Sequence, residues 1–292
     1  MSPRILVPFV LFTAAAPGAA AQDTTRAELV APGVISTTDL NETFPAIDPR
    51  DGSLWFSRYQ QSFDQQTIYV ARAQGDRWAP PVVASFSGTY GDRTPRFSPD
   101  GSRLYFTSNR PLERTGPAGR DLNIWVVTRR ADGGWGEPAL VPAPVSLPTS
   151  RDMHAAITAD GSVYFASYRP EGRGRADIYV APWHAGGFGP AELLGPTVND
   201  SLGQTDLIVS ADGRRMVLVV TDRPGGLGGD DLYALTRQGT SWGAPVHLPA
   251  PINSNEYEYG PAFSPDGRWL YFTSHRGGTG DIYRVPMTLR VW

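Results

Sequence analysis

Residues 262–276, AFSPDGRWLYFTSHR, are rewritten along the chain, and a chain built from one recurring unit has few folds open to it. Residues 96–110 read RFSPDGSRLYFTSNR, and weaker copies run over 156–169 (AITADGSVYFASYR), 208–223 (IVSADGRRMVLVVTDR) and 46–60 (AIDPRDGSLWFSRYQ). The Asp-Gly pairs begin at Asp51, Asp100, Asp160, Asp212 and Asp266, giving spacings of 49, 60, 52 and 54 residues. Periods in this range mark solenoids or propellers, in which one unit alone cannot bury its apolar faces.

Within the last unit, residues 260–263 predict a short strand A. Ser264-Pro265-Asp266-Gly267 predicts a tight turn, because Pro presets one dihedral and Gly accepts a positive φ. The near-continuous apolar run 269–274 suits a strand B covered on both faces. Asp281-Ile282-Tyr283 opens strand C after a Gly-rich loop. Other units supply a strand D. Tyr69 leads to Trp78, Tyr179 to Phe188 and Tyr233 to Trp242 at nine residues, and Trp125 to Trp135 at ten. This aromatic falls at the C–D turn, where a flat side chain can wedge between neighbouring sheets. Four antiparallel strands per unit, repeated, make the blade of a β-propeller, here with five blades.

The last unit runs out at Trp292 before a strand D. Near the other end, residues 27–34 (AELVAPGV) resemble 191–198 (AELLGPTV), the strand D of the third unit. The expectation is an all-β propeller whose ring is closed by the N-terminal strand pairing in the last blade, removing two exposed edges.

Ahead of that strand, Arg4, an apolar run over 5–16 and the small residues Ala19-Ala20-Ala21 predict a secretory signal peptide over 1–21, cleaved near Ala21-Gln22. Residues 22–292 are then a single propeller domain, periplasmic or secreted, without membrane insertion, and monomeric. No Cys follows to carry a lipid anchor. Removing Arg4 moves the formal charge from −3 to about −4, which argues against a nucleic-acid partner, since that needs a concentrated basic face. All 26 basic residues are Arg, so Schiff-base and P-loop lysine chemistry is excluded; with no Cys, thiol nucleophiles, Cys-ligated zinc and disulfides are excluded too. No cofactor and no metal is expected.

The Ser-Pro-Asp-Gly turn, the LYFTS strand and the Asp-Ile-Tyr strand resemble the WD40-like Pro-Asp repeats of the TolB propeller family, over essentially all of 22–292. The Trp-x-x-Pro-x-x-Leu strand is similar to repeats of envelope proteins that carry peptidoglycan-binding domains. The TolB type has six blades and a separate N-terminal domain, neither of which these residues reproduce. The resemblance implies an envelope protein or peptide as partner.

In this strand order the D–A and B–C loops share one face. Eight positions before each turn Asp sit Asp92, Asp152, Gln204 and Glu258, with Glu42 equivalent in the first unit. Strand B ends in Arg110, Arg169, Arg223 and Arg276, and His154 and His275 fall on the same face. One reading is a polar axial mouth that binds a ligand, peptide or cation; the other is that each acid pairs with an Arg or caps a loop, recurring because the blade recurs. Asp177, Asp231 and Asp281, which open strand C, read as structural. Residues that break the repeat stand out: His154, where other blades have Thr94, Asp206 and Gly260, and the loop 111–120 peculiar to the second unit. Gly239-Thr240-Ser241-Trp242-Gly243 matches a hydrolase elbow, but that motif must join a strand to a helix, and here it spans a C–D turn. His184 and His247 read as solvated.

Two functions remain open. One is a non-enzymatic binding or scaffold propeller that engages a protein or peptide through the D–A/B–C face. The alternative is a five-bladed glycoside hydrolase using the axial carboxylates. Hydrolysis there requires two carboxyls about 5–5.5 Å apart for retention or about 6.5–9.5 Å for inversion.

Overall fold

The computed structural model describes residues 26–75, 77–112, 116–119 and 121–287. The signal segment 1–21, part of the loop 111–120, and Trp292 lie outside them.

No helix occurs among the described residues, and the strands form five four-stranded antiparallel blades. Blade 1 runs outward from the axis as Asn41–Ile47, Leu54–Tyr59, Thr67–Ala71 and Val82–Val83. Blade 2 is Asp92–Phe97, Arg103–Ser108, Asn123–Thr128 and Ala139–Leu140; blade 3 is Asp152–Ile157, Val163–Ser167, Asp177–Ala181 and Glu192–Leu193. Blade 4 is Gly203–Val209, Arg215–Thr221, Asp230–Gln238 and Val246–His247. Blade 5 has Glu258–Phe263, Trp269–Ser274 and Asp281–Pro286, and its outermost strand is Glu28–Leu29 from the other end of the chain. Glu28 pairs with Arg284 and Leu29 with Tyr283, so the ring closes as the likeness between residues 27–34 and 191–198 predicted.

The five turns follow their chemistry. Ser264 Oγ donates to Asp266 Oδ1 (2.6 Å), the Arg268 N–H donates to the same oxygen (3.1 Å), and the glycines take φ between 66° and 89°.

The apolar core is layered, one cluster between each pair of neighbouring blades. The C–D aromatics wedge into these layers, each against the preceding blade. Trp135 of blade 2 meets Trp55 of blade 1 edge-on at 5.8 Å, and Trp242 of blade 4 meets Tyr164 of blade 3 at 6.3 Å. Such pairs add about 0.5–1.5 kcal/mol beyond the burial of their area.

Every inner strand carries a bulge. In blades 1, 2, 3 and 5 one of its residues is left-handed: Phe44, Thr94, His154 and Gly260. For a residue with a Cβ this conformation is strained by about 1–3 kcal/mol and persists only where surrounding bonds hold it. Here each bulge N–H donates to the preceding blade: Phe44 to Thr273 Oγ1 (3.0 Å), Thr94 to Ser57 Oγ (3.0 Å), His154 to Thr107 Oγ1 (3.2 Å) and Gly260 to Asp206 Oδ2 (2.8 Å). The bulge thus joins blade to blade around the axis and fixes what lies there.

Candidate functional site

The acids that begin strand A are fully buried in blades 1, 2, 3 and 5. Glu258 accepts from Ser254 Oγ (2.6 Å), the Ser254 N–H (2.8 Å), Ser274 Oγ (2.6 Å) and Arg276 Nη2 (3.3 Å). Asp152 accepts from Ser150 Oγ (2.7 Å), the Leu147 N–H (2.9 Å), Ser167 Oγ (2.6 Å) and Arg169 Nη2 (3.3 Å). Asp92 accepts from Ser108 Oγ (2.6 Å) and Arg110 Nη2 (2.8 Å). In blade 1, Arg58 stands where blades 2, 3 and 5 have that serine, and its Nε donates directly to Glu42 (2.9 Å); Thr37 supplies an N–H and a hydroxyl, each at 3.0 Å. In blade 4, Gln204 donates to Asp200 (2.7 Å), and Arg223 pairs with Asp200 instead.

The arginines also reach the D–A connections. Arg276 donates to the carbonyl of Pro251, Arg169 to those of Pro144 and Val145, and Arg110 to that of Phe86. Each acid–arginine unit therefore ties the start of strand A, the end of strand B and the incoming loop into one knot. Burial raises the pKa of Asp92, and Arg110 and Ser108 offset this only in part; Glu42 is raised by burial against the opposing bonds of Thr37 and Arg58. These carboxylates are sealed and bonded within their own blades rather than turned toward a common open cleft. The strand-C acids cap their B–C loops: Asp177 accepts from the N–H groups of Arg173 (2.8 Å) and Gly174 (3.0 Å). His247 is half-buried and lies 3.3 Å from Asp231, rather than being solvated as the sequence suggested.

His154 sits on the axis. Its Nδ1 is 3.2 Å from Asp206 Oδ1 without the alignment of a hydrogen bond, and Arg96 Nη2 approaches the same oxygen to 3.6 Å. Asp206 also accepts the N–H groups of Gly260 (2.8 Å) and Leu207 (2.7 Å). Burial alone would raise its pKa, but His154 and Arg96 hold it below the ordinary carboxylate value. His275 lies toward the loop face, its Nε2 3.1 Å from the Tyr259 hydroxyl. Burial lowers the His275 pKa despite the nearby Glu256 and Glu258.

These two histidines belong to an aromatic arc that the sequence did not disclose. Ring centroids step from Tyr257 to His275 (6.0 Å), Tyr259 (5.7 Å), Phe44 (5.2 Å) and Phe63 (6.1 Å), then on to Tyr59 (5.6 Å); His154 flanks Phe44 at 5.5 Å. The arc spans blades 5 and 1 and touches blade 3. Its ends emerge on the D–A/B–C face, with Tyr257 50% and Phe63 45% exposed. The Arg93 guanidinium lies 5.1 Å from the Phe63 ring, and Arg151 lies 5.2 Å from the exposed Tyr168 on the same face. The one available signal was Phe44, which breaks the repeat at the same position as His154. Of loop 111–120, residues 113–115 and 120 lie outside the described residues; the Gly116 carbonyl accepts from the Tyr90 hydroxyl at 3.3 Å. Among the described residues no three His, Asp or Glu side chains are grouped to hold a metal ion, and no helix is long and apolar enough to cross a membrane.

No family model matches the chain. Solved structures do. TolB from Acinetobacter baumannii superposes with a TM-score of 0.51 at 18% identity, over 84% of this chain and 54% of that one. The α-L-arabinofuranosidase from Lactobacillus brevis superposes at 0.55 with 15% identity, over 89% of this chain and 92% of that one. A thermostable family-43 glycoside hydrolase gives 0.55 at 12% identity, over 87% and 91%. The likeness is one of fold. The chain spans about half the length of the TolB structure and nearly all of the two glycosidases.

Proposed function

We propose that the protein is a non-enzymatic binding propeller, periplasmic or secreted after removal of residues 1–21, that engages a protein or peptide through its D–A/B–C face. The observation that carries this reading is the aromatic arc ending in exposed Phe63 and Tyr257, with buried Arg93 against Phe63, and Arg151 on the exposed Tyr168 of the same face. Aromatic side chains and arginine are what protein interfaces enrich and what their energetic centres are made of. Exposed Leu227, in the B–C loop of blade 4, and the exposed residues 116–119 of the loop 111–120 extend the same face. His154 and His275 act as parts of the arc. Glu42, Asp92, Asp152 and Glu258, with Arg110, Arg169, Arg223 and Arg276, hold its loops in place.

The hydrolase alternative asks two carboxyls to act on a bound sugar in different protonation states. Four acids sealed in near-equivalent knots argue against it. Capture from envelope extracts tests the choice. A Phe63→Ala/Tyr257→Ala variant with an unchanged melt is expected to lose partners that wild type and a Val82→Ala/Val246→Ala variant retain. Retention by the arc variant moves the interface elsewhere. Turnover of arabinan, fructan or a sialoside that disappears in Asp92→Asn or Glu258→Gln overturns the non-enzymatic reading.

A further inference from the structure

Four residues after the strand-C aromatic, blades 2 and 4 have an arginine, Arg129 and Arg237, where blades 1, 3 and 5 have Ala73, Trp183 and Met287. Each arginine lies over the C–D tryptophan of its own blade, Trp135 at 4.4 Å and Trp242 at 5.5 Å. What the preceding blade offers them differs. Arg129 forms an ion pair with the buried Asp48 of blade 1. The same turn position in blade 3 is Thr158, whose N–H closes its hairpin on Ser162 as that of Asp48 does on Ser53. The Thr158 hydroxyl donates to Asp160 (2.6 Å), so Arg237 meets no acid there. Instead its Nη1 donates to the Tyr164 hydroxyl (3.0 Å), and Nε and Nη2 reach the carbonyls of Gly239 and Thr240 at 3.4 Å. One N–H stays open on each Nη of this exposed side chain.

The joint around Arg237 is also less filled. Blade 1 stacks Trp55 on Phe86 at 6.2 Å, and blade 3 has Tyr164 and Pro196 at those positions. The smaller side chains leave a groove of about 800 Å³ between blades 3 and 4, opening on the turn face and the outer rim. That volume lies toward the upper end of the range of about 300–1,000 Å³ for ligand sites, more than one amino acid fills. Val180, Leu193 and Leu194 form an apolar flank, and Arg237, Asp160 and Glu192 line the same groove. Among the described residues none of these three charges makes an ion pair. A carboxylate set against Arg237 would repeat the Asp48–Arg129 pair two joints further round the ring, and an ammonium would answer the two acids.

We infer that this groove binds a short peptide with free ends. The C-terminal carboxylate takes on Arg237 the place that Asp48 holds on Arg129, the amino end lies toward Asp160 and Glu192, and the apolar flank takes a side chain between them. The groove shares no residue with the aromatic arc, so this inference and the proposed loop-face function stand or fall separately.

The tripeptide Ala-Leu-Ala is the probe, with its C-terminal amide and its N-acetyl form each lacking one charge. Titration of the full chain, followed by isotope-labelled methyl NMR, is expected to shift the methyls of Val180, Leu193 and Leu194 saturably and to leave those of Ile68 and Val127 in place. The amide should bind about tenfold more weakly, as should the free peptide to Arg237→Met, since a charge-assisted contact is lost in both. The acetylated form, losing an exposed ion pair, should bind about fivefold more weakly. Thr158→Asp restores in blade 3 the acid that blade 1 has. It should occupy Arg237 from within the chain and abolish binding with the melt unchanged or raised. The Arg237→Met arm stands whatever the fate of that variant, because Arg237 is exposed. No saturable shift at millimolar peptide, equal binding of peptide and amide, full affinity in Arg237→Met, or shifts confined to other methyls each overturns the assignment.

Discussion

Ring closure by the N-terminal segment gives a prediction whose size follows from the structure. Ile35 is fully buried in the layer between blades 5 and 1, packed with Leu54, Phe56, Ala262, Tyr271 and Ile282. The segment is held by backbone bonds from Val30 to Ile282 (2.9 Å) and from Ile35 to Ala31 (2.9 Å), and by one ion pair, Glu28 with Arg284 at 2.8 Å. Truncating a buried Ile to Ala removes its transfer energy and leaves a cavity, costing about 2–5 kcal/mol. The ion pair is more than one-third exposed on both sides and is worth at most about 1 kcal/mol. In a domain of this size about 1 kcal/mol moves the melting temperature by roughly 2–4 °C. Ile35→Ala should therefore lower the melt by roughly 4–20 °C, whereas Glu28→Gln should lower it by no more than about 4 °C. Deletion of residues 27–35 should exceed both, because it also exposes the edge of the Asp281–Pro286 strand. Calorimetry on the three variants decides. If Ile35→Ala melts with Glu28→Gln, or the deletion melts like wild type, the strand is an ornament and the ring is held closed by other contacts.

Three further outcomes are expected. Arg110→Met leaves Asp92 as an unpaired buried charge and should cost about 3–5 kcal/mol, while Asp92→Asn should cost clearly less, because burial already holds that carboxyl above its ordinary pKa. A urea-melt cycle with the double variant checks this, and additive losses would falsify the coupling. The turn acids Asp51, Asp100, Asp160, Asp212 and Asp266 are all depressed; in Asp100 hydrogen bonds from Ser98 and Ser102 take the pKa to about 2. Their stabilisation is thus complete above the unfolded value of about 3.9 and fades as pH falls toward 2. Stability measured from pH 6 to 2 should drop less steeply for Asp100→Asn than for wild type; parallel curves would exclude the turn as a source. Gly260 has φ +64°, and a Cβ there would stand 3.0 Å from the Phe44 Cα and from Thr273 Oγ1. Gly260→Ala should lower stability by about 1–3 kcal/mol, and an unchanged denaturation midpoint would show that the axis yields more easily than its bonds suggest.

The propeller was legible because its signals are local and repeated. A Ser-Pro-Asp-Gly turn between two apolar runs states a hairpin wherever it occurs, and five statements of it state a ring. Even closure could be read, since residues 27–34 copy a strand D that the last unit lacks. The acids and arginines were legible as a set, but their burial was not. Whether Glu258 faces water or a loop depends on Ser254, and for Asp152 on Ser150, and these belong to connections whose sequence and spacing differ from blade to blade. The arc was hidden for a related reason. Tyr257, Tyr259, Phe44 and Phe63 come from two blades at opposite ends of the chain, and only closure of the ring makes them neighbours. Arg96 stood in plain view as the first letter of the second repeat, where three other units begin with alanine and one with isoleucine.

The charges on the axis trace to the joints between blades. A left-handed bulge turns its N–H toward the preceding blade and needs an acceptor there. Blades 5, 1 and 2 provide one as Thr273, Ser57 and Thr107, and the bulges that follow, at Phe44, Thr94 and His154, are left-handed. Blade 3 has Ala166 at that position, and the inner strand of blade 4 contains no left-handed residue. Blade 4 has Val219 there, yet Gly260 is left-handed, and its N–H is met by the Asp206 carboxylate instead of a hydroxyl. Replacing a hydroxyl by a carboxylate places a charge in the middle of the ring, where it is stable only if cations approach it. Arg96 from blade 2 and His154 from blade 3 do so from across the axis. Arg96 faces it with Nη2 while Nη1 is held by the carbonyls of Pro45 and Pro95, and His154 carries the same centre up to Phe44 and the arc on the loop face. One missing hydroxyl in blade 4 therefore accounts for the polar centre on the axis.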